Sequence, residues 1–171
     1  MSSVYFISDL HLGHEGISRW SKGRPKFDSI DDHDAWIIEQ WNSVVNKKDT
    51  VWVLGDIAWN VHALKKCGQL RGYKRAVLGN HDGMQNTAYM RHFRIHPGIC
   101  RYRNYWLSHA PIHPDELRGI RNIHGHTHDN PIRLANNPFS SLDLRYMSVC
   151  VESLNGVPHT LEQLEEKYGI I

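Results

Sequence analysis

The sequence predicts a single α/β domain, and two of its features indicate this. Short runs of β-branched and aromatic residues, which are typical of buried strands, alternate with longer segments in which apolar residues recur at helical spacing. The 171 residues contain no internal repeat, low-complexity tract or linker, and a chain of this length buries about two-thirds of its unfolded surface in one core. We therefore expect one domain over residues 1–171.

The first half of the chain alternates strands and helices. The elements predicted here are a strand at Val4–Ile7, a loop from Leu12 to Ile30, a helix that starts at the N-caps Asp31 and Asp32 and ends near Asn46, a strand at Val51–Leu54, a helix at Val61–Leu70 and a strand at Lys74–Leu78. The helix after the loop rests on the apolar spacing of Ile37, Trp41, Val44 and Val45, which fall on one helical face.

The second half has shorter elements. Those predicted are a weaker helical segment from Met84 to His96, a strand pair at Ile99–Arg103 and Tyr105–Leu107, a loop or short helix at Pro114–Leu117, a short strand at Arg121–Ile123, a last strand at Leu144–Val151 and a closing helix at Leu161–Tyr168. Thr160 and Gln163 have the spacing of a capping box at the start of the closing helix.

Composition excludes several classes of protein. Twenty Lys+Arg against 18 Asp+Glu give a net charge of +2, which is too small to indicate a nucleic-acid partner. Cys67, Cys100 and Cys150 are odd in number and widely spaced, so neither a disulfide framework nor a thiolate zinc site is expected. The start lacks a signal-peptide pattern and no apolar run approaches the ~20 residues of a membrane span. These features predict a cytoplasmic protein with no membrane partner.

Several predicted strands end in the same way, with an apolar run, often a small residue, and then Asp, Asn or His. The residues placed at these ends are Asp9, His11, Asp56, Asn80, His81, His109, His126 and His128. Gly79-Asn80-His81-Asp82 alone is compatible with an ordinary polar turn, because these are common turn residues. Sites in α/β sheets form at the carboxyl ends of strands, so five such endings together predict one shared site.

The chemistry of these side chains favours a pair of transition-metal ions. Imidazole, carboxylate and amide donors without thiolate suit Mn²⁺, Ni²⁺, Co²⁺, Fe or Zn²⁺, and so much imidazole does not suit a Ca²⁺ or Mg²⁺ cage. Seven or eight side chains exceed the four that a tetrahedral ion takes. We expect two divalent ions that share a carboxylate, with manganese as the first choice, and this arrangement is suited to phosphoester hydrolysis.

In their order along the chain these motifs resemble those of the calcineurin-like metallophosphoesterase superfamily. The matching motifs are Asp9-Leu10-His11, Gly55-Asp56, Gly79-Asn80-His81-Asp82, Ser108-His109 and Gly125-His126-Thr127-His128. Leu12-Gly13-His14 and Arg24-Pro25-Lys26-Phe27 also resemble, more loosely, a branch of small bacterial and phage phosphoesterases. The resemblance implies a four-layer α/β fold, with two mixed β-sheets packed as a central sandwich flanked by helices. A phage-encoded chain would act in the host cytoplasm.

The resemblance also implies a role for each residue. Asp9, His11 and His128 would hold the first metal, Asp56 would bridge both metals, and the second would be held by Asn80, His109 and His126. A hydroxide that bridges the metals would be the nucleophile, and His81 would assist the leaving group. The loop positions His14 and Arg24, together with His113, are candidate substrate contacts, and a solvated or packing role is the alternative for each.

Two positions depart from the protein Ser/Thr phosphatases of the superfamily. Those enzymes carry a second acid three residues after the bridging one, where this chain has Trp59, and they typically have Glu where this chain has Asp82. Both differences argue against a protein phosphatase. They leave open which group orients His81, and Asp82 is the adjacent candidate. Trp59 and Trp20 are expected either to anchor loops or to stack on a nucleobase.

The expected function is hydrolysis of phosphodiester bonds, because a short chain has little length for a cap domain that would enclose a monoester. The substrate would be a small phosphoester such as a nucleotide or cyclic nucleotide, and the protein would be a monomer or a homodimer. One alternative is a phosphomonoesterase that acts on a small nucleotide or metabolite. Another is a non-catalytic scaffold of the same fold, which the complete set of predicted ligands disfavours.

Overall fold

The computed structural model describes residues 2–83, 86–135 and 139–171. The strands are β1 (Val4–Ile7), β2 (Thr50–Leu54), β3 (Tyr73–Val77), β4 (Arg94–His96), β5 (Ile99–Tyr102), β6 (Tyr105–Ser108), β7 (Arg121–His124), β8 (Tyr146–Ser148) and β9 (His159–Thr160). The helices are α1 (Ile17–Trp20), α2 (Ile30–Val44), α3 (Val61–Lys65), α4 (Asn86–Tyr89), α5 (Val151–Leu154) and α6 (Leu161–Lys167), with 3₁₀ turns at Lys66–Gln69 and Pro114–Glu116.

These strands form two mixed sheets, which confirms the predicted two-sheet α/β class. The first sheet has the order β4-β3-β2-β1-β9; β1 to β4 are parallel and β9 is antiparallel to β1. The second has the order β5-β6-β7-β8, in which β5 runs antiparallel to a parallel set of three. Parallel strands direct their carboxyl ends to the same edge of each sheet.

The core has two layers that follow the alternation of side chains along each strand. Trp52 on β2 packs between the sheets in a buried cluster with Leu107 on β6. Val53, the next residue on β2, faces the other way and packs in a second cluster with Ile37 of α2 and Leu64 of α3. Because successive strand residues point to opposite faces, the first sheet is covered by helices on one side and by the second sheet on the other.

The helix ends confirm one prediction and correct another. The capping box at Thr160 and Gln163 is present with both of its hydrogen bonds. The N-cap of α2 is Ser29, whose hydroxyl accepts a 3.1 Å hydrogen bond from the backbone nitrogen of Asp32. The prediction of Asp31 and Asp32 as N-caps is therefore wrong. These acids lie in the first turn, where their negative charge interacts favourably with the positive end of the helix dipole.

Three other segments differ from the prediction. The loop after β1 contains the short helix α1, and part of the expected helix from Met84 to His96 is instead the edge strand β4, since its pairing with β3 outweighs weak local preference. Met84 and Gln85 lie outside the described residues. The last predicted strand is shortened to β8, and Val151 begins helix α5. No helix in the described ranges is both long and apolar enough to cross a bilayer.

Candidate metal centre

The predicted strand ends meet at one edge because the pairing of β1 with β2 continues beyond the strands. The backbone nitrogen of Asp9 donates to Gly55 O at 3.0 Å, and that of His11 donates to Asp56 O at 2.9 Å. From the second sheet, the backbone nitrogen of His126 donates to Asp9 Oδ2 at 2.9 Å. These bonds tie loops from both sheets into one rim that carries the predicted ligands.

Asp9, His11 and His128 form a first group whose ligand atoms all lie within 4.8 Å of one another. Nε2 of His128 is 3.6 Å from Asp9 Oδ1, and Nε2 of His11 is 3.9 Å from the same oxygen. The three residues come from the loops after β1 and β7, so the group joins the two sheets. This is the set predicted to hold the first metal.

A second group overlaps the first and consists of Asp9, Asp56 and His109, again with ligand atoms within 4.8 Å. Asp56 Oδ2 is 3.5 Å from Nε2 of His11 and 3.5 Å from Nε2 of His109. Asn80 Oδ1 lies 2.9 Å from His109 Nε2 and 3.0 Å from His126 Nδ1. The structure thus brings all seven predicted ligands together and places the carboxylate of Asp56 between the two halves.

Unsatisfied polar atoms at the rim fit a pair of cations. Among the described residues, Asp9 Oδ1 and His11 Nε2 are buried and have no hydrogen-bond partner, although leaving such an atom unpaired costs about 1–3 kcal/mol. His109 donates from Nδ1 to Leu54 O at 2.8 Å, so its Nε2 faces the Asn80 oxygen, and an unprotonated Nε2 would direct a lone pair at that oxygen. Two acceptors in contact need a proton or a metal ion between them.

The pKa values follow from the same crowding. Burial lowers the pKa of His11 to about 2, and the charge of Arg24 contributes, so the ring is neutral and able to donate a lone pair to a metal. Although burial opposes ionisation, the hydrogen bond with His109 lowers the pKa of Asp56 to about 2. Burial likewise opposes protonation of His109, but this hydrogen bond and the charge of Asp9 raise its pKa to about 9.

The backbone at the site adopts a conformation that side chains other than glycine rarely take. Five of the predicted ligands have positive φ, namely Asp9 (58°), His11 (49°), Asp56 (52°), His126 (71°) and His128 (47°). Only three other non-glycine residues of the described chain share this conformation. Such conformations cost of order 1–3 kcal/mol each and cluster at functional sites. This backbone argument for a functional site does not depend on the chemistry of the side chains.

Two motif glycines are explained by close packing against the ligands. A Cβ at Gly79 would lie 2.6 Å from the backbone nitrogen of Asp56, and one at Gly125 would lie 2.5 Å from Asp9 Oδ2. Both distances are too short for a side chain. The small residue before each ligand therefore lets neighbouring loops approach closely enough to bring their donors together.

The Asp82 carboxylate links two backbone segments through hydrogen bonds and does not orient His81. Its Oδ2 accepts hydrogen bonds from the backbone nitrogens of Asp56 and Gly79, both at 2.8 Å, and its Oδ1 accepts one from Ile57 at 2.9 Å. One carboxylate thus clamps the loop after β3 to the loop after β2. The candidate role of Asp82 as the partner of His81 is not supported by this geometry.

The exposed His81 ring is flanked by aromatic side chains. Its ring centroid lies 5.4 Å from that of Trp59 and 5.6 Å from that of His11. The backbone nitrogen of His81 donates to Asp56 Oδ1 at 2.9 Å, which fixes the start of the side chain beside the ligand predicted to bridge the metals. Trp59, three residues after Asp56, contacts His81 through its ring.

Glu152 is a site residue that the sequence did not reveal. Its Oε1 lies 3.0 Å from His128 Nδ1 and accepts a 2.7 Å hydrogen bond from Arg24 Nε. The Arg24 guanidinium is fully buried and also contacts Leu10 O and Asp9 O. The structure therefore places Arg24 beneath the ligands, where it has no access to substrate, and the prediction of a substrate contact is not supported.

The other two candidate substrate contacts lie on different sides of the site. His14 is buried and packs edge-on against Trp59, with ring centroids 4.2 Å apart. His113 is exposed and lies in the wall of a cavity of about 830 Å³. That cavity borders one half of the site and is lined by ligands and apolar residues, including Asn80, His109, His126, Ile99, Trp106 and Ile112.

Comparisons with known proteins establish the relatives of this chain. It is 33% identical over 172 residues to the gene 66 protein of Mycobacterium phage D29, covering 78% of this chain and 82% of that protein. It is 31% identical over 171 residues to the uncharacterized protein MJ1445 of Methanocaldococcus jannaschii, covering 95% and 89%. The chain belongs to the family of these proteins.

Further matches extend this result. The gene 66 protein of Mycobacterium phage L5 is 46% identical over 88 residues, which cover 48% of this chain and 41% of that protein, so the match spans less than half of that relative. The crystal structure of AQ665, a protein of unknown function from Aquifex aeolicus, matches with a TM-score of 0.72 at 22% identity, covering 98% of this chain and all of that one. This likeness shows a shared fold. No family model matches the sequence.

Proposed function

We propose that the protein is a two-metal phosphoesterase of the calcineurin-like metallophosphoesterase superfamily that hydrolyses phosphodiester bonds. The observation that carries the proposal is the meeting of seven side chains with oxygen and nitrogen ligand atoms. Five of them form two groups that overlap at Asp9, and Asn80 and His126 adjoin the second group at His109 Nε2. A purely structural cluster would satisfy its buried polar atoms, whereas Asp9 Oδ1 and His11 Nε2 have no hydrogen-bond partner among the described residues.

The ligand assignment follows the two halves of the site. The first ion would be held by Asp9, His11, His128 and Asp56, and the second by Asp56, Asn80, His109 and His126. Two divalent ions, with manganese as the first choice, supply Lewis acidity that activates water and offsets charge on the phosphoryl group. The ionised carboxylate of Asp56 and the neutral ring of His11 are the states that such binding requires.

His81 is the residue placed to act on the substrate itself. Its ring is exposed, and its backbone is tied to the carboxylate of Asp56 at 2.9 Å. A general acid must reach the departing oxygen, and an exposed ring beside the carboxylate assigned as the bridge suits this role. We therefore assign His81 to stabilising charge on the phosphate or giving a proton to the leaving group.

The shape of the site favours a diester. The cavity of about 830 Å³ opens beside Asn80, His109 and His126 and continues along apolar residues. An apolar surface next to the reacting phosphate suits an organic substituent, and a diester carries two substituents. The cavity thus provides space that a small monoester would leave unfilled.

The decisive experiment removes metal with a chelator and restores Mn²⁺, Ni²⁺, Co²⁺ or Zn²⁺ singly. Rates are then measured on bis(p-nitrophenyl) phosphate and on p-nitrophenyl phosphate. We expect metal-dependent turnover that is faster on the diester and is abolished in Asp56→Asn, while the exposed control Glu162→Gln retains the wild-type rate. Faster turnover of the monoester would indicate the phosphomonoesterase instead. No turnover of either ester by folded protein with any metal would contradict the enzyme and favour a scaffold.

A further inference from the structure

Two tryptophans beside the site are unusually exposed. Trp20 is 75% exposed and Trp59 is 49% exposed, although indole side chains dominate protein cores and a large exposed apolar surface commonly marks an interaction site. Trp20 ends helix α1 in the loop after β1, and Trp59 lies in the loop after β2. Both therefore belong to the rim that carries the predicted ligands.

A buried histidine joins the two indoles into one aromatic wall. The ring of His14 lies edge-on to Trp59 at 4.2 Å and edge-on to Trp20 at 5.4 Å, measured between centroids. Its Nδ1 is buried without a hydrogen-bond partner among the described residues.

The wall begins at the residue assigned to the leaving group. Trp59 and His81 have ring centroids 5.4 Å apart and are tilted by 38°, and the loop is held by a 2.9 Å hydrogen bond from the backbone nitrogen of Trp59 to Leu12 O. Backbone hydrogen bonds such as this one hold the loop, and the indole itself stays half exposed. The half-exposed face of Trp59 is thus available next to the reaction centre.

We propose that Trp59 and Trp20 form a stacking subsite for a planar aromatic group, so that the substrate is a nucleotide-type phosphodiester with a base on the side of His81. This rests on the proposed function and names the class of its substrate. Aromatic rings stack on the π face of any base, so the subsite would select planar groups without distinguishing one base from another. The apolar cavity beside Asn80 and His109 would accommodate the second substituent of the diester.

The test measures binding of two probes that differ only in the nucleoside. Isothermal titration with Mn²⁺-loaded protein compares AMP with inorganic phosphate for wild type, Trp59→Leu, Trp59→Phe and Trp20→Leu. Leucine keeps apolar volume and removes the ring, whereas phenylalanine keeps a ring. Tyr73→Leu is the control, because Tyr73 is 68% exposed but begins β3 at the opposite end of the sheet.

We expect Trp59→Leu to weaken AMP binding by about 5- to 150-fold, which is the range of one base–aromatic stack, and to leave phosphate binding within about twofold. Trp59→Phe should recover most of the loss, Trp20→Leu should lose less than Trp59→Leu, and Tyr73→Leu should behave as wild type. Unchanged AMP affinity in Trp59→Leu, or an equal loss for AMP and phosphate, would overturn the subsite.

These outcomes separate the subsite from the proposed function. Wild-type protein that turns over bis(p-nitrophenyl) phosphate but binds AMP independently of Trp59 would contradict the subsite alone. Protein without turnover whose AMP affinity still depends on the Trp59 ring would contradict the enzyme and retain an aromatic-ligand site. Thermal melting of each variant verifies that it is folded before binding is measured.

Discussion

Glu152 Oε1 lies 3.0 Å from Nδ1 of His128. The same oxygen accepts a hydrogen bond from Arg24, so a buried arginine fixes the carboxylate that in turn fixes the imidazole. With Nδ1 engaged, His128 presents Nε2 to Asp9 at 3.6 Å. A carboxylate behind a ligand histidine sets both its tautomer and its orientation, so we expect Glu152 to control the first half of the candidate metal centre.

Glu152→Gln should weaken binding at that half. Glutamine retains the shape but removes the charge that orients His128, and loss of such a partner typically costs 10- to 100-fold in metal affinity. Titration of the metal-free variant with Mn²⁺ should therefore show one site with weakened affinity and one site with unchanged affinity. The exposed control Glu162→Gln should match wild type. Two unchanged affinities in the variant would show that Glu152 does not act on the metal.

The same carboxylate should make the metal-free protein sensitive to acid. Burial opposes ionisation of Glu152, but its hydrogen bond with His128 and the charge of Arg24 outweigh burial and lower its pKa below the ordinary 4.5. Because the pKa of Glu152 is lower in the folded than in the unfolded state, its ionised form stabilises the fold at pH values above the unfolded-state pKa. That stabilisation is lost progressively as the pH falls from the unfolded-state pKa towards the folded-state pKa. Between about pH 5 and pH 3, the melting temperature of the wild-type protein should fall more steeply than that of Glu152→Gln. Parallel curves would contradict this assignment.

His81→Ala should separate catalysis from metal binding. His81 is not among the seven assigned ligands and its ring is exposed, so the variant should keep its metal content while losing most turnover, by about 10²–10⁴-fold for a general acid. Asp56→Asn should instead disturb binding of both ions, because its Oδ2 is 3.5 Å from a histidine in each half. Metal content measured alongside rates tests this distinction. Loss of metal in His81→Ala would refute its assigned role.

The candidate ligands could be predicted from the sequence, because apolar runs indicate the strands and each run is followed by Asp, Asn or His. Glu152 could not be found in this way. It lies one residue beyond the segment predicted as strand, in helix α5 after the short strand β8, and its partners Arg24 and His128 lie 128 and 24 residues away. Arg24 was conspicuous as a loop cation, but its burial depends on those distant contacts. Local pattern predicts the candidate ligands, while tertiary packing decides which residues support them.

Asp82 illustrates the same limit and provides the last prediction. Adjacent to His81 in sequence, it instead accepts three backbone hydrogen bonds, from Asp56, Ile57 and Gly79 at 2.8–2.9 Å. In Asp82→Asn, an amide group must replace one carboxylate oxygen and face a backbone donor. Leaving that donor unsatisfied in a buried position costs about 1–3 kcal/mol.

Urea denaturation should therefore show Asp82→Asn destabilised by about 1–3 kcal/mol, with the exposed control Asp115→Asn unchanged. Because the clamp fixes the backbone that carries Asp56 and Asn80, the folded fraction of the variant should also bind Mn²⁺ more weakly. If Asp82 instead oriented His81, the variant would retain its stability and metal affinity and lose only turnover. The clamp ties the loop after β3 to the loop after β2, so stability and metal affinity should fall together.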